Sequence, residues 1–289
     1  MTAASHRTGP AGPSRSATVP GRALVLLATV ALALVAAFVV VPRTLAGSAP
    51  GADVGGEGGL ARAFREAFVG YWSSGERGFP PDVDRLVAYW SRYHVAKGVI
   101  AALLLIVLVA LGARLWKAFV RAGGLGAGRR FALAAAGALT TALALLSLAA
   151  VMANIQGATA PFASLLPMLP TGGTDGEVGA AIAQVRERLA AGDHASPALD
   201  VMLGDFARYH EAMAWIAALV AVVLVVPGVA AWKRFRRTPS ADRRARRTLG
   251  SFAALSVLSS LFLIVVAVAN TTTAADPRPA LLAFFHGGW

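Results

Sequence analysis

The chain has 289 residues, of which 56% are apolar and 15% charged. A soluble domain carries about 25% charged residues, so an ordinary water-soluble globule is excluded. Cysteine is absent, which removes disulfides, thiolate nucleophiles and iron–sulfur ligation. The net charge of +12 lies in short segments between apolar runs. That is the pattern of membrane topology rather than of nucleic-acid binding.

Residues 1–22 carry Arg7, Arg15 and Arg22 and no acid, and read as a flexible basic tail. The apolar run 23–42 is the first transmembrane helix. At about 20 residues it exceeds the roughly 7–15 of a signal core, and no paired arginine precedes it. It is expected to stay as an anchor, although LAGSAPGA (45–52) offers small residues to a peptidase. Segment 43–97 places Leu60, Phe64, Phe68, Tyr71 and Trp72 at helical spacing. A turn, GERGFPPD (75–82), then leads into a helix that continues into the membrane.

The next two spans are 98–113 and 131–153, a transmembrane pair over 98–153. The first is short, but Lys97 and Arg114 at its ends can snorkel outward. Between them, 114–130 carries Arg114, Lys117, Arg121, Arg129 and Arg130 without an acid. GGLGAG (123–128) follows a membrane helix rather than a strand, so it reads as a flexible turn and not a phosphate loop. Segment 154–211 holds a polar stretch at 170–175 and a helical stripe of Val178, Ile182, Val185 and Leu189. The turn GDHASP (192–197) follows. A second pair over 212–270, with spans 212–232 and 248–270, encloses eight basic residues between Lys233 and Arg247 against Asp242. Residues 271–289 are the tail. The fold class is all-α: an integral membrane bundle of five transmembrane helices with extracytoplasmic amphipathic helices, which are expected to pack together as a small cap.

Basic short loops stay in the cytoplasm. The three basic segments alternate with segments 43–97 and 154–211, beyond which only Asp242 and Asp276 are acidic. The N-terminus is therefore expected inside, the C-terminus outside, and the location is the cell membrane. The lipid bilayer is the first partner, with anionic headgroups attracted to the inner loops.

The chain also resembles itself at a shift of 116 residues. Arg92, Tyr93 and His94 fall on Arg208, Tyr209 and His210, and Trp116, Lys117, Phe119 and Arg121 on Trp232, Lys233, Phe235 and Arg237. Asn154 falls on Asn270 and Pro161 on Pro277. Matches of Ala, Leu and Val are common between membrane helices, but these are not, so the pattern reads as an internal duplication. Two spans per unit keep both units in one orientation, as parallel repeats related by an axis near the membrane normal.

Arg-Tyr-His leaves three readings open. Tyr, Arg and His can form part of an interface belt. His94 shares a helix face with Trp90, Gly98 and Ala101, and His210 with Phe206, Ala214 and Ala217. Small residues favour close helix approach, so each histidine can instead make a polar contact with Asn154, Asn270 or an outer carboxylate. Thirdly, the two imidazoles can ligate a metal or haem, joined by His194 and His286, but no metal-binding spacing supports this. No cofactor is assigned.

The stretch Trp90–Ala102, Trp116–Phe119 and their counterparts resembles multi-pass membrane proteins common in actinobacteria, a source in keeping with the scarcity of lysine beside arginine. The resemblance covers 23–285 and implies no activity and no catalytic residue. The function expected is non-enzymatic: scaffolding, sensing or binding an envelope protein through the cap. A transporter built on parallel repeats is the alternative, weakened by the lack of ionisable residues in mid-span. A redox or metal protein using the paired histidines is another. A topology reporter fused after Arg247 is expected to read cytoplasmic, and one fused after Trp289 external; the same side for both removes the fifth span.

Overall fold

A computed structural model describes residues 21–48, 56–124, 126–170, 176–192 and 196–288. Among them all regular structure is helical: α1 (Gly21–Gly47), α2 (Gly56–Ser74), α3 (Pro81–Arg121), α4 (Ala127–Thr159), α5 (Pro161–Leu165), α6 (Glu177–Ala190), α7 (Pro197–Arg237), α8 (Arg243–Ala275) and α9 (Pro277–Phe285). The tail before residue 21, residues 171–175, His194, Trp289, Leu125 of the glycine-rich turn and the end of the LAGSAPGA stretch lie outside the described residues. Five helices, α1, α3, α4, α7 and α8, are long and apolar enough to cross a membrane.

Local chemistry sets the helix starts. Pro81, Pro161, Pro197 and Pro277 each open a helix. At that position a missing N–H costs nothing and the ring pre-sets φ. Ser196 caps α7 by accepting from the Leu199 amide at 3.4 Å, and Asp242 caps α8 by accepting from Ala245 at 3.1 Å. The result is two helices of 41 residues, α3 and α7, each followed by one of 33, α4 and α8. Each member of the second pair begins 116 residues after its counterpart.

A 41-residue helix is about 62 Å long, twice the ~30 Å of a hydrocarbon core. The sequence boundaries at 97/98 and 211/212 therefore fall inside single continuous helices, and α3 and α7 project well beyond the bilayer at one end. Along the spans α3 packs on α4, α7 on α8, and α1 on α3, while α4 and α7 join the two pairs. Small residues allow the helices of each pair to come close. A Cβ added to Gly228 would lie 2.8 Å from the Cβ of Ser256, and one added to Gly112 would lie 3.5 Å from Thr140. Ser147 donates across to the Ala101 carbonyl at 2.8 Å and Ser260 to Ala221 at 3.2 Å. Val222, Val226, Leu258, Phe262 and Val265 face outward, as a lipid-covered surface requires.

The larger core lies at the projecting end. Leu60, Phe64, Phe68 and Tyr71 of α2 pack with Leu86 and Tyr89 of α3, Phe162 of α5, Ile182 and Val185 of α6, Met202 of α7 and Phe285 of α9. Phe64 and Tyr71 meet the Phe162 ring edge-on, with centroids 6.1 and 5.8 Å away. Polar ties lock the helices of this cap: Trp72 Nε1 donates to Gln184 Oε1 at 3.0 Å, and Arg186 Nε to the Phe285 carbonyl at 2.7 Å.

Tyr71 is fully buried in this core, and its hydroxyl has no hydrogen-bond partner among the described residues. Burial pushes its phenol up to about 12, against a smaller opposing pull from Arg77. The raised value means that the fold disfavours the phenolate. The corresponding stability is complete below the unfolded value of about 10 and is lost as pH rises toward 12. Tyr71→Phe is expected to leave the melting temperature at pH 7 unchanged or higher, because it removes a buried unpaired group. Its advantage over the parent should widen between pH 10 and 12. A clear drop at pH 7 would show that the hydroxyl has a partner.

Candidate functional site

The residues singled out by the repeat gather where α3 and α7 leave the apolar spans and enter the cap. His94 and His210 stand at the same position along two helices of equal length. Consecutive helical residues point about 100° apart, so Arg-Tyr-His divides three ways. Arg92 is exposed. Tyr93 is buried and stacks on Trp90 with centroids 4.9 Å apart, and Lys97 Nζ stands 5.0 Å over its ring and 4.8 Å over Phe38 of α1. The histidine turns to the next helix of its own pair: His94 Nδ1 is 2.9 Å from Asn154 Oδ1 on α4, and His210 Nδ1 is 2.8 Å from Asn270 Oδ1 on α8.

The asparagines fix the sense of these bonds. Asn154 Nδ2 donates to the Ala150 carbonyl at 2.7 Å and Asn270 Nδ2 to Val266 at 2.8 Å. Each amide oxygen therefore faces the imidazole and accepts from Nδ1–H. In the neutral ring Nε2 is then the lone-pair nitrogen. An aromatic neighbour one turn away closes over each imidazole, Trp90 at 4.7 Å and Phe206 at 4.6 Å, both near edge-on.

Beyond this common frame the two ends differ. His94 packs directly on Gly157, where an added Cβ would stand 2.6 Å from Nε2. That nitrogen is buried and has no partner among the described residues. Trp90 Nε1 donates to Ser164 Oγ at 2.6 Å, which pins the indole against α5. In the second pair the positions of Trp90, Gly157 and Ser164 are taken by Phe206, Thr273 and Ala280. There a cavity of about 260 Å³ opens, lined by His210, Phe206, Tyr209, Thr273, Ala280 and Phe284 among others.

Two residues with no strong sequence signal hold this region together. Asp205 accepts from the Ala163 amide at 2.8 Å at the start of α5 and pairs with Arg208 at 3.3 Å. Gln156 Nε2 donates to the Tyr209 carbonyl at 3.1 Å, which links α4 to α7. The first counterpart of Asp205 is Tyr89 and the second counterpart of Gln156 is Thr272, so neither belongs to the repeated pattern. The outer carboxylate Asp200 is held by Arg77 at 3.4 Å, and the imidazole partner is asparagine in both pairs. His286 is exposed at the end of α9, with its amide bonded to the Leu282 carbonyl at 3.1 Å. Among the described residues no three His, Asp or Glu side chains group as a metal site.

At the opposite end of the bundle, Arg243, Arg244 and Arg247 at the start of α8 line a pocket of about 800 Å³ with Phe119 and Val120 of α3. Arg244 lies 5.7 Å from the Phe119 ring centroid. No family model, curated protein or solved structure matches this chain.

A double-mutant cycle tests the histidine–asparagine bond. His94→Ala and Asn154→Ala are each expected to lower stability, by about 1–3 kcal/mol where a buried partner is left unpaired. The double variant should lose less than the sum, with a coupling of about 0.5–1.5 kcal/mol. Additive losses in thermal or denaturant melts would show that the bond contributes nothing.

Proposed function

We propose that this chain is a non-enzymatic multi-pass protein of the cell membrane whose outer helical cap is a platform for an envelope protein partner. The observation that carries the reading is the cap itself. The chain extends two spans by about 30 Å and adds α2, α5, α6 and α9 to build one core around Phe64, Phe68, Tyr71 and Phe162. Loops of a few residues suffice to connect spans, so a cap of this size serves something outside the bilayer.

The remaining sequence expectations fit the same reading. The equal helix lengths and the constant shift support an internal duplication with parallel units. The charge bias supports a cytoplasmic N-terminus and an external cap. Anionic lipid headgroups are the partners of the inner loops, where the arginine-lined pocket at the start of α8 supplies positive charge and an inward-facing helix N-terminus. The histidines are structural polar contacts here, each tied through Nδ1 to an asparagine on the next helix.

The test is photo-crosslinking in the native membrane. A photoreactive residue is placed at exposed cap positions Glu66 and Arg85, with lipid-facing Leu258 as the control. The two cap sites are expected to yield the same discrete protein adduct, and Leu258 lipid adducts only. Absence of any protein adduct from both cap sites overturns the platform reading.

A further inference from the structure

We propose that the cavity beside His210 is a binding site for a small hydroxylated amphiphile: an apolar ring or short chain bearing one hydrogen-bond donor. The proposal does not depend on the cap having a protein partner.

The cavity lies where the second pair departs from the first at three equivalent positions: two exchanges remove volume, and the third, Gly157 against Thr273, adds a hydroxyl to its wall. At the first pair, Trp90 and Ser164 fill the space with an indole and a hydrogen bond of 2.6 Å, and His94 is sealed against Gly157. At the second pair, Phe206 is smaller than the indole, and Ala280 has no hydroxyl to bind. The space left is about 260 Å³. Drug-sized ligands occupy roughly 300–1,000 Å³, so this site suits one or two rings or a short chain.

The polar groups define the ligand's chemistry. His210 uses Nδ1–H on Asn270, so in the neutral ring its remaining nitrogen offers a lone pair. Thr273 uses its hydroxyl proton on the Ala269 carbonyl at 3.1 Å, so its oxygen is also left as an acceptor. Two acceptors with their own donors already spent call for a donor on the ligand. Phe206, Tyr209 and Phe284 supply aromatic surface for an apolar body. A neutral alcohol or phenol satisfies both demands, and a carboxylate or an ether satisfies only one.

The full chain in detergent is titrated with 2-naphthol, and with 2-methoxynaphthalene, which keeps the rings and the oxygen but lacks the donor. Binding is read by ligand fluorescence. Saturable binding of 2-naphthol is expected, with the ether about tenfold weaker, the loss that one hydrogen bond explains. Phe206→Trp combined with Ala280→Ser installs the Trp–Ser pair already present in the first half and should abolish saturable binding. His210→Phe should bring naphthol down to the affinity of the ether. Equal affinity of the two probes for the unmodified protein overturns the proposal without any variant having to fold. Undiminished binding to the Trp–Ser variant overturns the location. A metal or haem that copurifies with the parent and is lost in His210→Phe would replace the amphiphile with a coordination site.

Discussion

The structure depends on the length of α3 and α7. A helix about 62 Å long satisfies its own backbone through the hydrocarbon and then continues, still hydrogen-bonded, into water. Below the interface it is held by close-packed small residues, because lipid gives no hydrophobic reason for apolar helices to associate. Above the interface water restores that driving force, and large rings take over: Phe64, Phe68, Tyr71 and Phe162 are buried at the projecting end, while the clusters within the spans centre on Ala217, Ala221, Leu104 and Leu108. One continuous element thus spans two solvents and carries two different packing rules.

That continuity places the histidines. They stand where one rule gives way to the other, close enough to the cap for an aromatic neighbour and close enough to the spans for a partner on the adjoining helix. An asparagine here bonds its own helix with one end of its amide and the imidazole with the other, so the bond fixes both the tautomer and the height of one helix against the next. Gln156 and Asp205 add ties of the same kind between α4, α5 and α7. The two pairs are joined by unlike contacts, although each pair is internally alike.

Much of the fold was legible because its determinants are periodic. Apolar runs of span length and helical stripes such as Leu60-Phe64-Phe68 act locally, and a one-dimensional reading captures them. The segment read as a tail, 271–289, instead carries α9, whose Phe284 and Phe285 are buried in the cap core. The constant shift of 116 residues also showed which residues deserve comparison, including His94, His210, Asn154 and Asn270. It could not decide whether the imidazole partner was an asparagine or an outer carboxylate, since that depends on the rotation of one helix against another. Asp205 and Gln156 left no signal because they occur once, and a repeat filters out whatever is not repeated. Their roles follow from the turn at Ala160, which brings the α5 amides over α7.

The same filter explains why the cavity was invisible in the sequence. Comparing two similar halves draws attention to what they share, and the shared residues here build the frame: helix lengths, the histidine–asparagine bond, the aromatic lid. Among the departures are Trp90 against Phe206, Gly157 against Thr273 and Ser164 against Ala280. Each is a minor exchange alone, but in the second half all three line the cavity that His210 also lines. In one half they bury the free nitrogen, and in the other they leave it beside open space. In a chain whose halves share one sequence pattern, function is best sought where several departures converge on one place.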